Sequence, residues 1–325
     1  MKNYMKIIFL ITLVLGSLLT LSSNNWFSMW MGLEINLISF IPLIINYKNN
    51  SSESAMIYFM VQSMGSILFI TSILMTSMFI LKTLMEMMLI ISMALKMGLA
   101  PTHLWMPEIM EKMSWLNCMM LMTWQKLAPL SIMSFMSNKM IVILAMYSTM
   151  VGAIGGLNQV STRKIMAYSS INHLGWMNST MLFNNEIWIK YFILYALITL
   201  IASHHMLMNS IFFIGQFKSN KLIVNKMNVI IMMMSLGGLP PFLGFLPKWM
   251  VIQTLIINNM YMLTLIMVMS TLLTLFYYLR MVSSILMMGQ YSMKWDLMNK
   301  KINLSSITSI MINMMLPMIS IISFN

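Results

Sequence analysis

Polar breaks cut the chain into eleven apolar runs, each close to the roughly 20 residues that a transmembrane helix needs. Their limits are near 4–22, 26–46, 55–80, 84–106, 115–136, 139–158, 164–183, 188–213, 227–257, 261–283 and 303–323. The ninth run is long and is interrupted by Gly237-Gly238-Leu239-Pro240-Pro241, so it reads as two half-helices. The fourth is interrupted in a similar way by Gly98 and Pro101, and it encloses Lys96. A charge at bilayer depth is costly, and Pro removes a backbone donor, so a merely structural span is expected to avoid both. Broken helices at that depth are tolerated where they line a cavity, and there they commonly form ion or substrate sites. Leu95–Glu108, LKMGLAPTHLWMPE, is therefore expected to be the centre of a membrane transport protein. The alternative is a kinked span whose lysine snorkels to the interface.

The pattern predicts an all-α polytopic membrane protein with about eleven transmembrane helices and short connections. The two broken runs are five apart and so cross in opposite directions. Two inverted five-helix repeats, 1–136 and 139–283, with a terminal helix at 303–323, satisfy that condition within a single membrane domain covering 1–325. The first run, preceded by Lys2 and Lys6, superficially resembles a signal peptide, but Ser22-Ser23-Asn24 offers no clear cleavage site and it is read as the first span.

Composition agrees with a membrane protein: 59% of residues are hydrophobic and 8% charged, against roughly 25% charged in a soluble domain. The net charge of +12 does not point to nucleic acid, because the basic residues stand singly between apolar runs rather than in clusters interleaved with aromatics. A single cysteine, Cys118, excludes an all-cysteine iron–sulfur site and any internal disulfide. The 48 methionines, with abundant Ile and Asn and few Arg, fit an A+T-rich genome that reads AUA as methionine, which points to mitochondrial DNA. Methionine also fills irregular gaps between packed helices.

Charge then sets the expected topology. With the N-terminus inside, thirteen Lys and Arg fall in inner loops, and only Lys82, Lys139 and Lys190 fall outside. Lys96, Lys126 and Lys248 are left within the membrane. Eleven spans then put the C-terminus on the outer side.

Glu34, in the second run, is the acidic residue clearly at membrane depth, and a lone carboxylate there is neutral or paired; the available partners are the membrane lysines. The bland reading is a structural salt bridge. Lys126 is central in its run, far from either interface, and Pro129 follows it. Lys248 has the alternative of anchoring the outer edge beside Trp249. His173 is either a proton relay or a packing residue. His103, just past the first break, is placed to satisfy freed backbone groups. His204 and His205 point to different faces of their helix and make a poor metal pair. Gly152, Gly155 and Gly156 lack the strand–turn–helix context of a dinucleotide fingerprint and suit close helix packing. The carboxylate, three lysines and a histidine are the parts of a proton relay, with no metal or cofactor site expected in this chain.

LKMGLAPTHLWMPE, TWQKLAPLSIM, LNQVSTRKIMAYSSINHLGW and SLGGLPPFLGFLPKW closely resemble, in the same order, motifs of the antiporter-like proton-channel subunits of respiratory complex I, NADH:ubiquinone oxidoreductase. The resemblance covers Trp26 to Lys248. It implies a core membrane subunit contributing a proton channel, in the mitochondrial inner membrane with its N-terminus in the matrix and its C-terminus in the intermembrane space. It further implies that Glu34 pairs with Lys96 in a first half-channel, that Lys126 is the connecting lysine, and that Lys248 serves the second. NAD, flavin, iron–sulfur clusters and ubiquinone are implied for other parts of the complex. The implied partners are lipid and other membrane-arm subunits, including antiporter-like ones. Bacterial relatives carry three further N-terminal helices that this chain lacks, so other subunits or lipid are expected to cover that flank. A subunit of a cation/proton antiporter is the alternative, and a structural subunit with vestigial polar residues is a third reading.

Overall fold

The computed structural model describes residues 3–45, 51–77, 82–136, 138–183, 185–218 and 223–288, and among them every regular element is helical apart from one isolated β-bridge. The expected terminal helix at 303–323 lies outside the described residues. The first two apolar runs form α1 (Asn3–Ser22) and α2 (Trp26–Ile44), and the third forms α3 (Ser51–Ser77). The fourth run is split into α4 (Lys82–Met97) and α5 (Trp105–Lys112), and the ninth into α11 (Ile223–Gly237) and α12 (Phe245–Ile257). Between them lie α8 (Met140–Gly156), α9 (Thr162–Thr180) and α10 (Asn185–Met208), and α13 (Tyr261–Met288) follows. Five of these helices are long and apolar enough to cross a membrane unaided: α1, α2, α3, α10 and α13.

One expected span is divided. The fifth run consists of α6 (Trp115–Met122) and α7 (Trp124–Ser134), interrupted at Thr123. The Thr123 amide still bonds to Met119 O at 3.1 Å and its hydroxyl donates to the same carbonyl at 2.8 Å, while the Lys126 amide bonds three residues back to Thr123 O at 3.2 Å, so the ladder tightens there. The sequence shows no Gly or Pro at that point, which is why periodicity alone reads it as continuous.

The chain forms two compact units, Met1–Ser148 and Thr149–Asn325. In the first, α3 packs on α2, α4 and α5, while α7 touches α1, α2, α4 and α6 and so lies inside its neighbours. The Trp124 indole donates to Ser17 Oγ at 3.1 Å, tying α7 to α1. In the second, α10 packs on α9, α11 and α12, and α13 packs on α11, α12 and the 3-10 turn at Ile214–Lys218. The expected close packing at Gly152 is present within this unit: a Cβ there would stand 2.7 Å from the Asn172 amide of α9.

The two helix breaks use the same cap. Leu99 N bonds to Ala94 O at 2.9 Å and Gly98 N to Leu95 O at 3.2 Å; Leu239 N bonds to Met234 O at 3.3 Å and Gly238 N to Ser235 O at 3.0 Å. Each is a Schellman turn, which needs a residue with positive φ at its corner; Gly98 has φ +74° and Gly238 φ +79°. A side chain at either corner meets the steric penalty of the left-handed region, about 1–2 kcal/mol. Gly98→Ala and Gly238→Ala are therefore expected to destabilise the protein by at least that amount, read as thermal unfolding in detergent. Gly215→Ala, where an added Cβ meets nothing within 4 Å, is the control and should not change the melting temperature.

Candidate proton-relay site

In the first unit, α4 delivers Lys96 in its last turn and α7 delivers Lys126 just past the Thr123 interruption. Both are buried, at 6% and 2% exposure, far below what a snorkelling lysine would show. They line one cavity together with Asn36, Tyr58, Gln62 and Gln125, and it leaves about 20 Å³ of room for water centres. That is enough for a water molecule, which needs roughly 10–15 Å³ by this measure. Gln125 Nε2 donates to Asn36 Oδ1 at 2.9 Å, and the Tyr58 hydroxyl donates to Gln125 Oε1 at 3.4 Å, so one amide links α2, α3 and α7.

The break in the fourth run leaves carbonyls without helical donors, and buried side chains supply them. Gln62 Nε2 donates to Lys96 O at 3.1 Å, and the Trp105 indole donates to Leu95 O at 3.2 Å. His103 Nδ1 lies 3.2 Å from Pro101 O, in keeping with its expected part in satisfying the broken backbone. Pro129 similarly withholds an amide from the Gln125 carbonyl one turn earlier in α7.

Glu34 is half-buried on α2, and its Oε1 is shielded from solvent without a hydrogen-bond partner among the described residues. It acts on Lys96 through space rather than through a contact ion pair. The carboxylate and the ammonium thus belong to one electrostatic site.

In the second unit Lys248 is 6% exposed, which disfavours the outer-anchor reading; Trp249 beside it is 46% exposed. Lys248 Nζ donates to Gly237 O at 2.7 Å. Gly237 ends α11, so the ammonium sits at the negative end of that helix dipole. Gly238 makes room for it: a Cβ there would lie 2.9 Å from both Cδ and Nζ of Lys248. His173, on α9, is buried with Nδ1 2.8 Å from the Tyr191 hydroxyl.

A family model described as "NADH:quinone oxidoreductase/Mrp antiporter, TM" matches residues 23–274, which include all five of these positions. The chain belongs to this family. It is 43% identical over 336 residues to NADH-ubiquinone oxidoreductase chain 2 of Locusta migratoria, covering 99% of this chain and 95% of the locust protein. It is 47% identical over 317 residues to the protein of the same name from Aedes aegypti, covering 93% and 92%. Among solved structures, a chain of respiratory complex I from Thermus thermophilus superposes with a TM-score of 0.82 at 20% identity, over 88% of this chain and 71% of that one. A chain of the Mrp complex from Dietzia superposes at 0.74 and 15% identity, over 85% and 60%. These distant likenesses show a shared antiporter-like fold.

The structure adds Asn36, Tyr58, Gln62, Gln125 and Trp105 to the expected residues of the first unit. Their signal in the sequence is a polar side chain inside an apolar run, visible for Gln62 and Gln125 but without a stated partner. Gln125→Leu would leave the Asn36 and Tyr58 polar groups unpaired inside the bundle, which is expected to cost about 1–3 kcal/mol. Thermal unfolding of the purified variant should show this loss; an unchanged melting temperature would mean that the amide link contributes nothing.

Proposed function

We propose that the chain is a proton-translocating membrane subunit of the NADH:ubiquinone oxidoreductase of the mitochondrial inner membrane. The observation that carries the reading is that Lys96 and Lys126 open onto one water-sized cavity in a chain whose relatives bear the name NADH-ubiquinone oxidoreductase chain 2. Its redox chemistry belongs to other subunits: NAD, flavin, iron–sulfur clusters and ubiquinone are bound elsewhere in the complex. This chain contributes buried ammonium groups, a carboxylate and a histidine. Its partners are other membrane-arm subunits, antiporter-like ones among them, and lipid.

The expected architecture is a pair of inverted five-helix repeats within about eleven spans, supported by the matching Schellman turns at Gly98 and Gly238. An N-terminus in the matrix and a C-terminus in the intermembrane space follow from the lysine and arginine count. Contacts within each unit are consistent with that topology. Lys112 and Glu53, both assigned to the matrix side, form an ion pair at 2.8 Å. Arg280, assigned to the same side, donates to the carbonyls of Leu157 and Gln159, which lie between α8 and α9.

In this reading Glu34 and Lys96 form a switch, with Lys126 as the connecting group and Lys248 and His173 serving the second half. Moving one charge against 100 mV requires about 2.3 kcal/mol. Bringing a carboxylate to about 4 Å from an ammonium in a medium of intermediate polarity changes the energy by about 4 kcal/mol. Only complete withdrawal of the carboxylate from contact distance changes the energy by that whole amount, so in this reading the switch alternates between a contact pair and a separated one. The Mrp likeness keeps a cation/proton antiporter as the alternative, distinguished by sodium-dependent proton movement in the absence of NADH oxidation.

Glu34→Gln and Lys96→Met preserve side-chain shape and are expected to leave assembly intact while lowering both proton pumping and the electron transfer coupled to it. The check is the proton-to-electron ratio and turnover of the complex reconstituted in vesicles. Full values for both variants would make the pair structural.

A further inference from the structure

Beside the lysines, the second unit holds a set of buried hydroxyls that the lysine chemistry leaves unused. Ser169 and Ser170 stand four and three residues before His173 on α9, so both share its flank of the helix, and all three are buried. The His173 ring lies 5.0 Å from that of Tyr195 on α10, and the Ser170 side chain engages the Tyr195 hydroxyl. Ser169 in turn acts on the hydroxyl of Tyr278 on α13. Tyr278 is beside Tyr277, with ring centroids 4.6 Å apart. The Tyr277 ring presses on the end of α8, where a Cβ added to Gly156 would stand 2.8 Å from its Cε1. One turn or less further along α13 is Arg280, which holds the backbone carbonyls of Leu157 and Gln159.

These hydroxyls are an expense that packing alone does not require. Tyr195, Tyr277 and Tyr278 are each no more than 2% exposed, and phenylalanine fills nearly the same space without burying a polar group. Among the described residues the hydroxyls of Tyr277 and Tyr278 meet no partner in good hydrogen-bond geometry, although Ser169 and each other's hydroxyls stand close enough to act on them. Buried hydroxyls are ordinarily satisfied, and where protein groups stand near but out of reach a bridging water completes the bond.

We infer that Tyr277, Tyr278, Ser169, Ser170 and Tyr195 form a hydrated proton-loading path that leads from the Arg280 end of the second unit to His173. The inference rests on the proton-channel reading above and extends it to residues outside the lysine set. At each step a proton arrives on a hydroxyl or water oxygen as that oxygen releases its own proton to the next acceptor. The last acceptor is the neutral imidazole of His173, which becomes an imidazolium, and rotation of the hydroxyls resets the path. One proton moves and no electron does. His173 then holds its charge on α9, which packs against α12, the helix that carries Lys248. Tyr191, 2.8 Å from Nδ1 of His173, orients the ring from the other side.

The test uses Tyr278→Phe and Ser169→Ala in the assembled complex reconstituted in vesicles, with Lys248→Met as the reference. Both path variants keep the packing volume nearly unchanged, so assembly and melting temperature should match the parent. The expected result is a several-fold loss of proton pumping in each, together with a changed solvent deuterium isotope effect on turnover, which a merely structural residue would not alter. If Lys248→Met stops pumping while both path variants pump normally, the path is wrong and the proton-channel reading stands. If Lys248→Met itself pumps normally, that reading fails and the path falls with it.

Discussion

Taking an ammonium group out of water and into the middle of an apolar bundle is the constraint on which the other features of this protein depend. Lys96, Lys126 and Lys248 are all nearly inaccessible to solvent. A charge so placed must be neutralised, solvated by protein dipoles, or released as a proton. The two units meet this demand differently. The first surrounds its lysines with amides and a water-sized cavity, with a carboxylate acting from α2. The second gives its lysine the terminal carbonyl of a broken helix. A charged carboxylate acting at a distance and a neutral carbonyl in contact are unlike partners for an ammonium.

Breaking a helix inside a membrane is costly unless the freed groups find new partners, and both breaks here solve this with one local device. The Schellman turn satisfies the carbonyls at the end of the first half-helix, and its left-handed corner accepts only glycine at no steric cost. The lysine occupies opposite sides of that device in the two units. Lys96 belongs to the half-helix before the break, whereas Lys248 belongs to the half-helix after it and reaches back. Buried polar side chains, Gln62 and Trp105 in the first unit, bind the carbonyls of the last helical turn. The break is therefore held by backbone and side-chain hydrogen bonds, with the buried lysines beside it.

Much of this was legible in the sequence because membranes impose length and polarity rules on every span. The apolar runs gave the helices, Gly98 and Gly238 marked the breaks, and the lysines left over from the loop count are the ones found buried. What periodicity missed is physically specific. The interruption at Thr123 coincides with a shift of the Lys126 amide to the carbonyl three residues back, which composition does not announce. Glu34 was expected to pair with Lys96, and it acts on it without direct contact, a difference of side-chain placement that no spacing rule resolves. The polar linkage through Gln125 joins α2, α3 and α7, and such partners are set by tertiary packing. Likewise the seventh apolar run carries Ser169, Ser170, Asn172, His173, Asn178 and Ser179, and packing buries all six in α9.

The central claim is that the buried lysines carry protons rather than hold helices together, and Lys126 tests it most directly because it lies on α7, inside the first unit and next to the shared cavity. The measurement is the number of protons pumped per electron pair by the reconstituted complex carrying Lys126→Met, alongside its assembly. The account predicts a normally assembled complex that pumps fewer protons and turns over more slowly. A normally assembled complex with the full proton-to-electron ratio and unchanged turnover would contradict it.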